Sequence, residues 1–394
     1  MKKTLADYEF KGKRVIVRVD FNVPLKNGVI SNALRIDESL PTINYLREKG
    51  AKVILCSHLG RPDGEAKPEF SLMPVKEYLE KVLNAKVVFC PQIVGEEAVK
   101  MSNELNEGDV MLLENVRYRK EEEENDPEFA KELSLLADIY VNDAFGTAHR
   151  KHATTYGLAQ NLPSAMGFLM QKEVSALHDS IDNPERPFVA ILGGAKVKDK
   201  IKVVKNLLNK VDTLIIGGGM AYTFQKALGY EIGTSLLDAD NIDFCKEVIE
   251  EAKAKNVNLL LPIDLVCAKE FDENAEPIYI DGRNIPADLM GLDIGPKTRE
   301  LFKEAIAASR TLVWNGPMGV FEFEKFAVGT KTLAEAVANN KECNSIIGGG
   351  DTASAVINMG FKEQISHVST GGGASLKMLE GKLLDGIQAI SDKE

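Results

Sequence analysis

Four arginines, a histidine and an asparagine stand where short apolar runs end in the first half of this sequence. Asp20-Phe21-Asn22 follows the run Val15–Val19, with Arg18 inside the run's end and Arg35 downstream. Ser57-His58-Leu59-Gly60-Arg61 follows Lys52–Cys56, and Glu114-Asn115-Val116-Arg117 follows Val110–Leu113. Asn142–Arg150 follows Asp138–Val141. Guanidinium forks bind phosphate and carboxylate in bidentate fashion. One arginine alone is ordinarily a surface ion pair. Arg35, Arg61, Arg117 and Arg150 at successive strand ends, with His58 and Asn22, describe a seat for a small polyanion.

The second half offers different chemistry. Phe188–Leu192 breaks at Gly193-Gly194, then continues with Ile201, Val204, Leu207 and Leu208 at helical spacing. Such glycines let a ligand's oxygens approach the backbone, and the helix start behind them presents unpaired N–H groups and a positive dipole end. Lys196 and Lys200 are four apart, so on one helix they share a face and reach the same anion. The other reading is a solvated helix with surface lysines. Gly217-Gly218-Gly219, Gly348-Gly349-Gly350 and Gly371-Gly372-Gly373 each follow, or nearly follow, an apolar run and precede a helical pattern. One such turn serves tight packing as readily as a ligand. Three at one sheet edge, with Gly193-Gly194, suggest a nucleotide whose phosphates lie against backbone N–H groups. Asp351-Thr352 follows the second triplet. A bare carboxylate repels phosphate, so a functional Asp351 requires a bridging Mg2+, which takes a carboxylate plus phosphate oxygens. Asp351 as the N-cap of the next helix is the alternative, and both can hold.

Two familiar nucleotide signatures do not account for this pattern. There is no GxxxxGK[ST], which excludes a P-loop. Gly348–Ala353 fits the loose GxGxxA form of a dinucleotide fold, but its acid lies inside the turn and none stands about twenty residues on to hold a ribose.

The elements that must position these residues read as alternating strands and helices. The first half has runs at Val15–Val19, Lys52–Cys56, Val87–Cys90, Val110–Leu113 and Asp138–Val141. Helical patterns fall at Pro41–Lys49, closed by Gly50, at Pro74–Leu83, and after the N-cap pair Asp126-Pro127. The second half has runs at Phe188–Leu192, Thr213–Ile216, Asn258–Leu261, Thr311–Trp314, Ser345–Ile347 and His367–Ser369. Such alternation predicts an α/β protein of two doubly wound parallel-sheet domains. The boundary falls in Phe168–Pro187, where Leu169, Glu173, Ala176 and Leu177 predict one long helix joining the lobes. The acidic run Glu121–Glu124 reads as a solvated loop.

Composition agrees with a soluble two-domain protein. The chain has 394 residues, 44% hydrophobic and 27% charged, too long for one ordinary core. A net charge of −11 argues against nucleic-acid and anionic-membrane partners and confines any positive site to a local cleft. The five cysteines, Cys56, Cys90, Cys245, Cys267 and Cys343, have no metal or redox spacing and fit a reducing compartment. Ala6-Asp7-Tyr8-Glu9 stands where a signal peptide needs an apolar run, so the expectation is a cytoplasmic protein.

The motifs together resemble the phosphoglycerate kinase family. The resemblance rests on Val15–Pro24, Ser57–Pro62, Leu112–Arg117, Gly193–Val197 with Asp199-Lys200-Ile201, Trp314–Gly319, Gly349–Thr352 and Ser369–Ala374, in the family's order. Tyr118-Arg119 stands where many members have Phe-His. The resemblance implies two Rossmann-like lobes with a substrate cleft between them. Residues 1–170 would bind 3-phosphoglycerate or 1,3-bisphosphoglycerate, 171–380 would bind ADP or ATP, and 381–394 would return to the first lobe. It implies reversible, Mg2+-dependent transfer of an acyl phosphate to ADP by a monomer that closes on its substrates.

Residue by residue, the resemblance gives Asp20, Asn22, Arg35, His58, Arg61, Arg117 and Arg150 to the glycerate phosphate. Lys196 and Lys200 would meet the nucleotide phosphates and the transferring group. Gly194, Ala195, Gly218, Pro317, Gly349 and Gly350 would line the nucleotide site, with Asn315 by the phosphates, Glu322 on the ribose and Gly291 near the adenine. Asp351 would hold Mg2+ with Thr352 beside it, and the N–H groups of Gly371 and Gly372 would meet the phosphoryl group in transfer. Arg35 and Lys200 are the cations expected to neutralise it. A carboxylate partner is already ionised at neutral pH, so no general base is needed. A two-lobed anion-binding protein without catalysis and a dinucleotide oxidoreductase are the competing classes.

Overall fold

Each apolar run that ends in a candidate binding residue becomes a strand of a parallel sheet. A computed structural model describes residues 1–394. It divides into one unit of Met1–Val174 with Leu383–Glu394 and a second of Ser175–Lys382.

In the first unit β1 (Arg14–Arg18) is followed by a short hairpin of β2 (Leu25–Lys26) and β3 (Val29–Ile30). Then come β4 (Lys52–Cys56), β5 (Val87–Cys90), β6 (Val110–Leu113), β7 (Ile139–Asn142) and β8 (Ser164–Met166). They form a six-stranded sheet in the order β5-β6-β4-β1-β7-β8, parallel throughout. β6 and β7 are buried at every residue and β1 and β4 at all but the first, as strands covered by helices on both faces must be.

Three expectations need correction here. The first helix is Leu34–Glu48, not Pro41–Lys49, and it carries Pro41 in its interior. Buried Ile36, Ile43 and Leu46 seat both halves on the sheet, so packing outweighs the lost N–H bond. Arg35 therefore sits in a helix's first turn. The acidic run is not a solvated loop. It forms the turn Lys120–Glu123, whose Glu122 is fully buried and accepts from the Thr154 N–H and hydroxyl, both at 2.9 Å. The strand β8 was missed because three residues at a sheet edge carry almost no periodicity.

The helical stretch that leaves this unit runs Phe168–Val174, passes through a π-type turn at Ser175–Asp179 and ends at Asp182. The last segment belongs to the first unit. Lys3 N–H donates to Ser391 O at 2.8 Å, Gly386 N–H to Ala148 O at 2.9 Å, and Lys2 pairs with Asp392 at 3.0 Å.

In the second unit β9 (Phe188–Leu192), β10 (Thr213–Ile216) and β11 (Asn258–Leu260) come first. A separate antiparallel sheet follows, of β12 (Leu265–Ala268), β13 (Ile278–Ile280) and β14 (Met290–Ile294). Then β15 (Thr311–Asn315), β16 (Asn344–Ile347) and β17 (His367–Val368) complete the main sheet, ordered β11-β10-β9-β15-β16-β17 and parallel throughout. The antiparallel sheet was not foreseen, because its short strands break the strand–helix alternation. Its core is Leu265, Cys267, Ile285 and Leu289 against Tyr222.

All five cysteines are buried free thiols. No helix is long and apolar enough to cross a membrane.

Candidate active site

Four neighbouring strands of the first unit, β6, β4, β1 and β7, run the same way, so their carboxyl ends share one edge. That edge carries the loops of Arg117, His58 with Arg61, Asp20 with Asn22, and Arg150. Side chains stitch the loops together. Asn22 Oδ1 accepts the Gly60 N–H at 2.9 Å, and Arg117 Nη1 donates to Gly60 O at 3.2 Å. Arg35 Nη1 donates to Asn22 O at 2.8 Å and lies 3.6 Å from Asp20 Oδ1. Asn115, fully buried, accepts the Leu59 N–H and donates to Leu59 O at 2.7 Å. Arg61 and Arg150 are exposed.

The electrostatics of this edge are those of crowded positive charge. His58 is held well below the ordinary imidazole value, first by burial and then by Arg18, Arg117, Arg35 and His152. It is therefore neutral. Arg18 Nη2 lies 3.0 Å from His58 Nδ1, and a guanidinium only donates, so Nδ1 accepts and the proton sits on Nε2. His58 thus serves as an N–H donor. His152 is lowered to about 4 by burial and by Arg117, Arg18 and Arg150. Burial also lowers Arg117, with Arg18 and Arg150 adding to it and Glu123, 3.9 Å away, opposing.

The second unit repeats the geometry with other materials. Trp314, fully buried in β15, donates from Nε1 to Gly316 O at 2.7 Å and sets the turn that follows. Gly316, at φ +106°, lies so close to Gly193 that a Cβ would come 2.2 Å from Gly193 O. Gly218, Gly219 and Gly291 are likewise pressed against Pro317 O, Ala195 O and the Tyr222 ring. These glycines let loops approach one another. Gly350 and Gly372 differ, with nothing within 4 Å of the place a Cβ would take, so they face open space.

Behind these turns lies a cavity of about 540 Å³. Its wall brings together Gly194, Ala195, Gly218, Gly291, Pro317, Glu322 and Asp351, with Tyr222, Leu236, Phe271 and Met290 as its apolar part. Lys196, Lys200, Asn315, Thr352, Gly349, Gly350, Gly371 and Gly372 are not part of that wall. They stand on the neighbouring turns. Lys200 Nζ donates to Asn315 Oδ1, and Asn315 Nδ2 donates to Gly348 O at 2.8 Å. Thr352 Oγ1 accepts the Gly316 N–H at 2.7 Å. Gly371 N–H is engaged by Ser369 Oγ at 3.2 Å, and Gly372 caps the helix Gly373–Leu379 at φ +54°.

Two readings of this half are corrected. Lys196 and Lys200 do not share a helix, because a 3-10 turn, Val197–Asp199, separates them and the α-helix starts only at Ile201. Lys196 is exposed in extended backbone, whereas burial lowers Lys200 to about 8 against the pull of Asp199 and Asp351. Asp351 is not the N-cap. Gly349 holds that position, and the Asp351 carboxylate is exposed in the first turn of Gly350–Asn358, on the cavity wall. No three or more His, Cys, Asp or Glu side chains gather as a metal cluster. One carboxylate beside a glycine turn still suits Mg2+, which takes its remaining oxygens from phosphate and water.

The family model described as phosphoglycerate kinase matches residues 5–382. The chain belongs to this family.

Relatives agree along the whole length. A phosphoglycerate kinase of Clostridium novyi (strain NT) is 58% identical over 395 residues, covering 100% of this chain and 99% of that one. One from Clostridium tetani is 57% identical, covering 100% and 98%. The phosphoglycerate kinase structure from Coxiella burnetii superposes with a TM-score of 0.92 at 43% identity, covering 99% and 98%. That from Pyrococcus horikoshii OT3 gives 0.81 at 35% identity, covering 98% of each. Membership in the phosphoglycerate kinase family confirms the two parallel-sheet domains and sets aside both competing classes.

Within this phosphoglycerate kinase fold, the residues to which sequence reading gave no role are those behind the front row. Arg18 is fully buried, with Nε donating to Thr154 Oγ1 at 2.8 Å, and Thr154 in turn bonds Glu122. A charged residue inside Val15–Val19 was the available signal for Arg18. Glu122 had none, since nothing local separates it from its exposed neighbours.

Proposed function

We propose that the arginine edge of the first unit holds the phosphoglycerate and that the glycine-lined cavity of the second holds the nucleotide. The reaction is the reversible transfer of the acyl phosphate of 1,3-bisphosphoglycerate to ADP, giving 3-phosphoglycerate and ATP. The observation that carries the assignment is the gathering of Asn22, His58, Arg61, Arg117 and Arg150 at four adjacent strand ends, with Arg35 reaching Asn22 O from the first turn of Leu34–Glu48. Asp20 orients the set by accepting the Asn22 N–H at 3.1 Å and facing Arg35.

The chemistry asks for charge and alignment more than for proton transfer. The acceptor oxygen, on a carboxylate or a terminal phosphate, needs no base to activate it. Arg35 is steadied by Asn22 O and Asp20, and Lys200 by Asn315. Both stand ready to meet charge that spreads over the equatorial oxygens of the phosphoryl group. Gly350 and Gly372 add backbone N–H groups, Gly371 would add its own by giving up Ser369 Oγ, and neutral His58 adds one from Nε2. Transfer in line requires the two bound ligands to meet with water excluded.

Asp351, with Thr352 beside it, would hold Mg2+, which neutralises phosphate charge when bound. Asp351→Ala should lose activity far more at low Mg2+ than at high, with 3-phosphoglycerate affinity near normal. An unchanged Mg2+ dependence of the rate overturns that role. The protein acts as a cytoplasmic monomer without nucleic-acid or membrane partners. Its five buried free thiols fit a reducing compartment, and its net charge of −11 argues against nucleic-acid and anionic-membrane partners. A coupled assay for ATP formation from 1,3-bisphosphoglycerate and ADP tests the function, and no ATP above background would overturn it.

A further inference from the structure

One buried carboxylate stands behind two separate parts of the nucleotide cavity. The wall includes Met290 and Gly291 from β14 and the loop from Pro317 to Glu322. Asp293 lies on β14 and is 1% exposed. Its Oδ2 accepts the Gly329 N–H at 2.9 Å, and its Oδ1 accepts the Ile294 N–H at 2.8 Å. Gly329 is in the first turn of Val328–Asn339, the helix into which the loop runs. A Cβ on Gly329 would lie 2.3 Å from Asp293 Oδ1, and one on Gly319, near the loop's start, 2.6 Å from the same atom. Val320 N–H donates to Leu292 O at 2.9 Å between them. Gly319 in the loop and Gly329, beyond the 3-10 turn Glu324–Phe326 that follows it, are thus both shaped to close on this carboxylate, with Glu322 between them in the chain.

We propose that Asp293 is a positioning residue for the nucleotide, fixing the Pro317–Glu322 loop against β14 and so setting the width of the seat. The inference rests on reading the cavity as the nucleotide site. Asp293 serves this role best ionised, because both oxygens face N–H donors. A proton weakens the oxygen it sits on as an acceptor, and an amide nitrogen in place of either oxygen sets donor against donor.

Burial pushes Asp293 up to about 7, against the Gly329 and Ile294 N–H groups and the Arg299 charge. Arg299, from the helix Pro296–Ala308, and Tyr222, from the helix Met220–Ala227, are the charged and titratable side chains that face it. The helix Val328–Asn339 meets it with the Gly329 N–H, and strand β12 with Val266. ADP affinity therefore falls as pH drops through about 7, beyond what the nucleotide's own titration explains.

The test compares the full-length protein with Asp293→Asn by calorimetry, using ADP and 3-phosphoglycerate separately at pH values on either side of about 7. Asp293→Asn should bind ADP about tenfold more weakly at the higher pH, with 3-phosphoglycerate affinity and turnover at saturating ADP within about twofold. Its ADP affinity should also lose the extra pH dependence. Gly319→Ala, which pushes the loop off Asp293, carries the same expectation for ADP if Asp293→Asn does not fold. Normal ADP affinity in the variant, or equal losses for both ligands, overturns the proposal. Ala195→Trp fills the cavity and keeps the two readings apart. Unchanged ADP affinity there overturns the cavity assignment itself, whereas a loss there with none in Asp293→Asn overturns only the positioning role.

Discussion

In the first unit, loops at one sheet edge deliver Arg61, Arg117, Arg150 and His58, and a helix start adds Arg35, so the groups on offer there are side chains. In the second, the same edge of a similar sheet delivers glycine turns, a cavity with apolar walls and one lysine steadied by Asn315. On the proposed assignment, the difference follows from what each would hold. A small, highly charged ligand offers little surface beyond its oxygens, and bidentate guanidinium groups match those oxygens directly. A nucleotide offers a base and a sugar as well, so apolar wall and backbone N–H groups suffice for most of it. The first arrangement buries His58 and His152 among cations, and burial first, then the neighbouring arginines, hold both neutral. The second keeps its charge sparse and drives Lys200 down to about 8 by burial.

The largest expected effect tests where the two arrangements are joined in function. Lys200→Ala and Arg35→Ala should each lower turnover by about a hundredfold to a thousandfold, on the order of 3–4 kcal/mol, with small changes in both Michaelis constants and in melting temperature. Saturating kinetics on both variants decides it, and near-normal turnover at saturation removes that residue from the transition state. Lys200 adds a pH signature. Its folded-state value is depressed, so its charge is lost as pH rises through about 8, and the rate should fall there.

Smaller effects sharpen the division of labour. Arg61→Ala or Arg150→Ala removes charge-assisted bonds of about 1.5–3 kcal/mol, which is about ten- to a hundredfold in 3-phosphoglycerate affinity. ADP binding should stay unchanged. Calorimetry that shows equal losses for both ligands breaks the comparison.

The smallest changes separate two kinds of glycine in the second unit. Gly316→Ala drives a Cβ toward Gly193 O from a left-handed backbone and should cost on the order of 1–3 kcal/mol of stability, read as a lower melting temperature. Gly350→Ala meets nothing and lies in a helix's first turn, so stability should hold or rise by about 0.4–1 kcal/mol while the Michaelis constant for ADP increases. A melting loss in both variants would mean that every glycine turn here serves packing.

Local sequence determined the parallel strands and the turns at their ends. A run such as Phe188–Leu192 is apolar at every position because a central parallel strand is buried on both faces, and that signal is complete within a few residues. The cation-bearing loops were legible for the same reason, since in a parallel sheet every strand's end arrives at one edge. What the tertiary structure alone decided is whatever depends on a partner distant in sequence. Pro41 sits inside a helix because Ile36 and Ile43 are held by the sheet, overriding proline's local preference. Glu122 is buried because Thr154, far along the chain, supplies its donors. Lys196 and Lys200 keep helical spacing, yet the chain tightens into a 3-10 turn between them and separates their faces. Nothing local marks Asp293, and only the return of Gly319 and Gly329 against it makes it the post proposed for the loop. Periodicity reports which face of an element is buried, and the identity of the group that will meet it there is fixed only when distant segments pack.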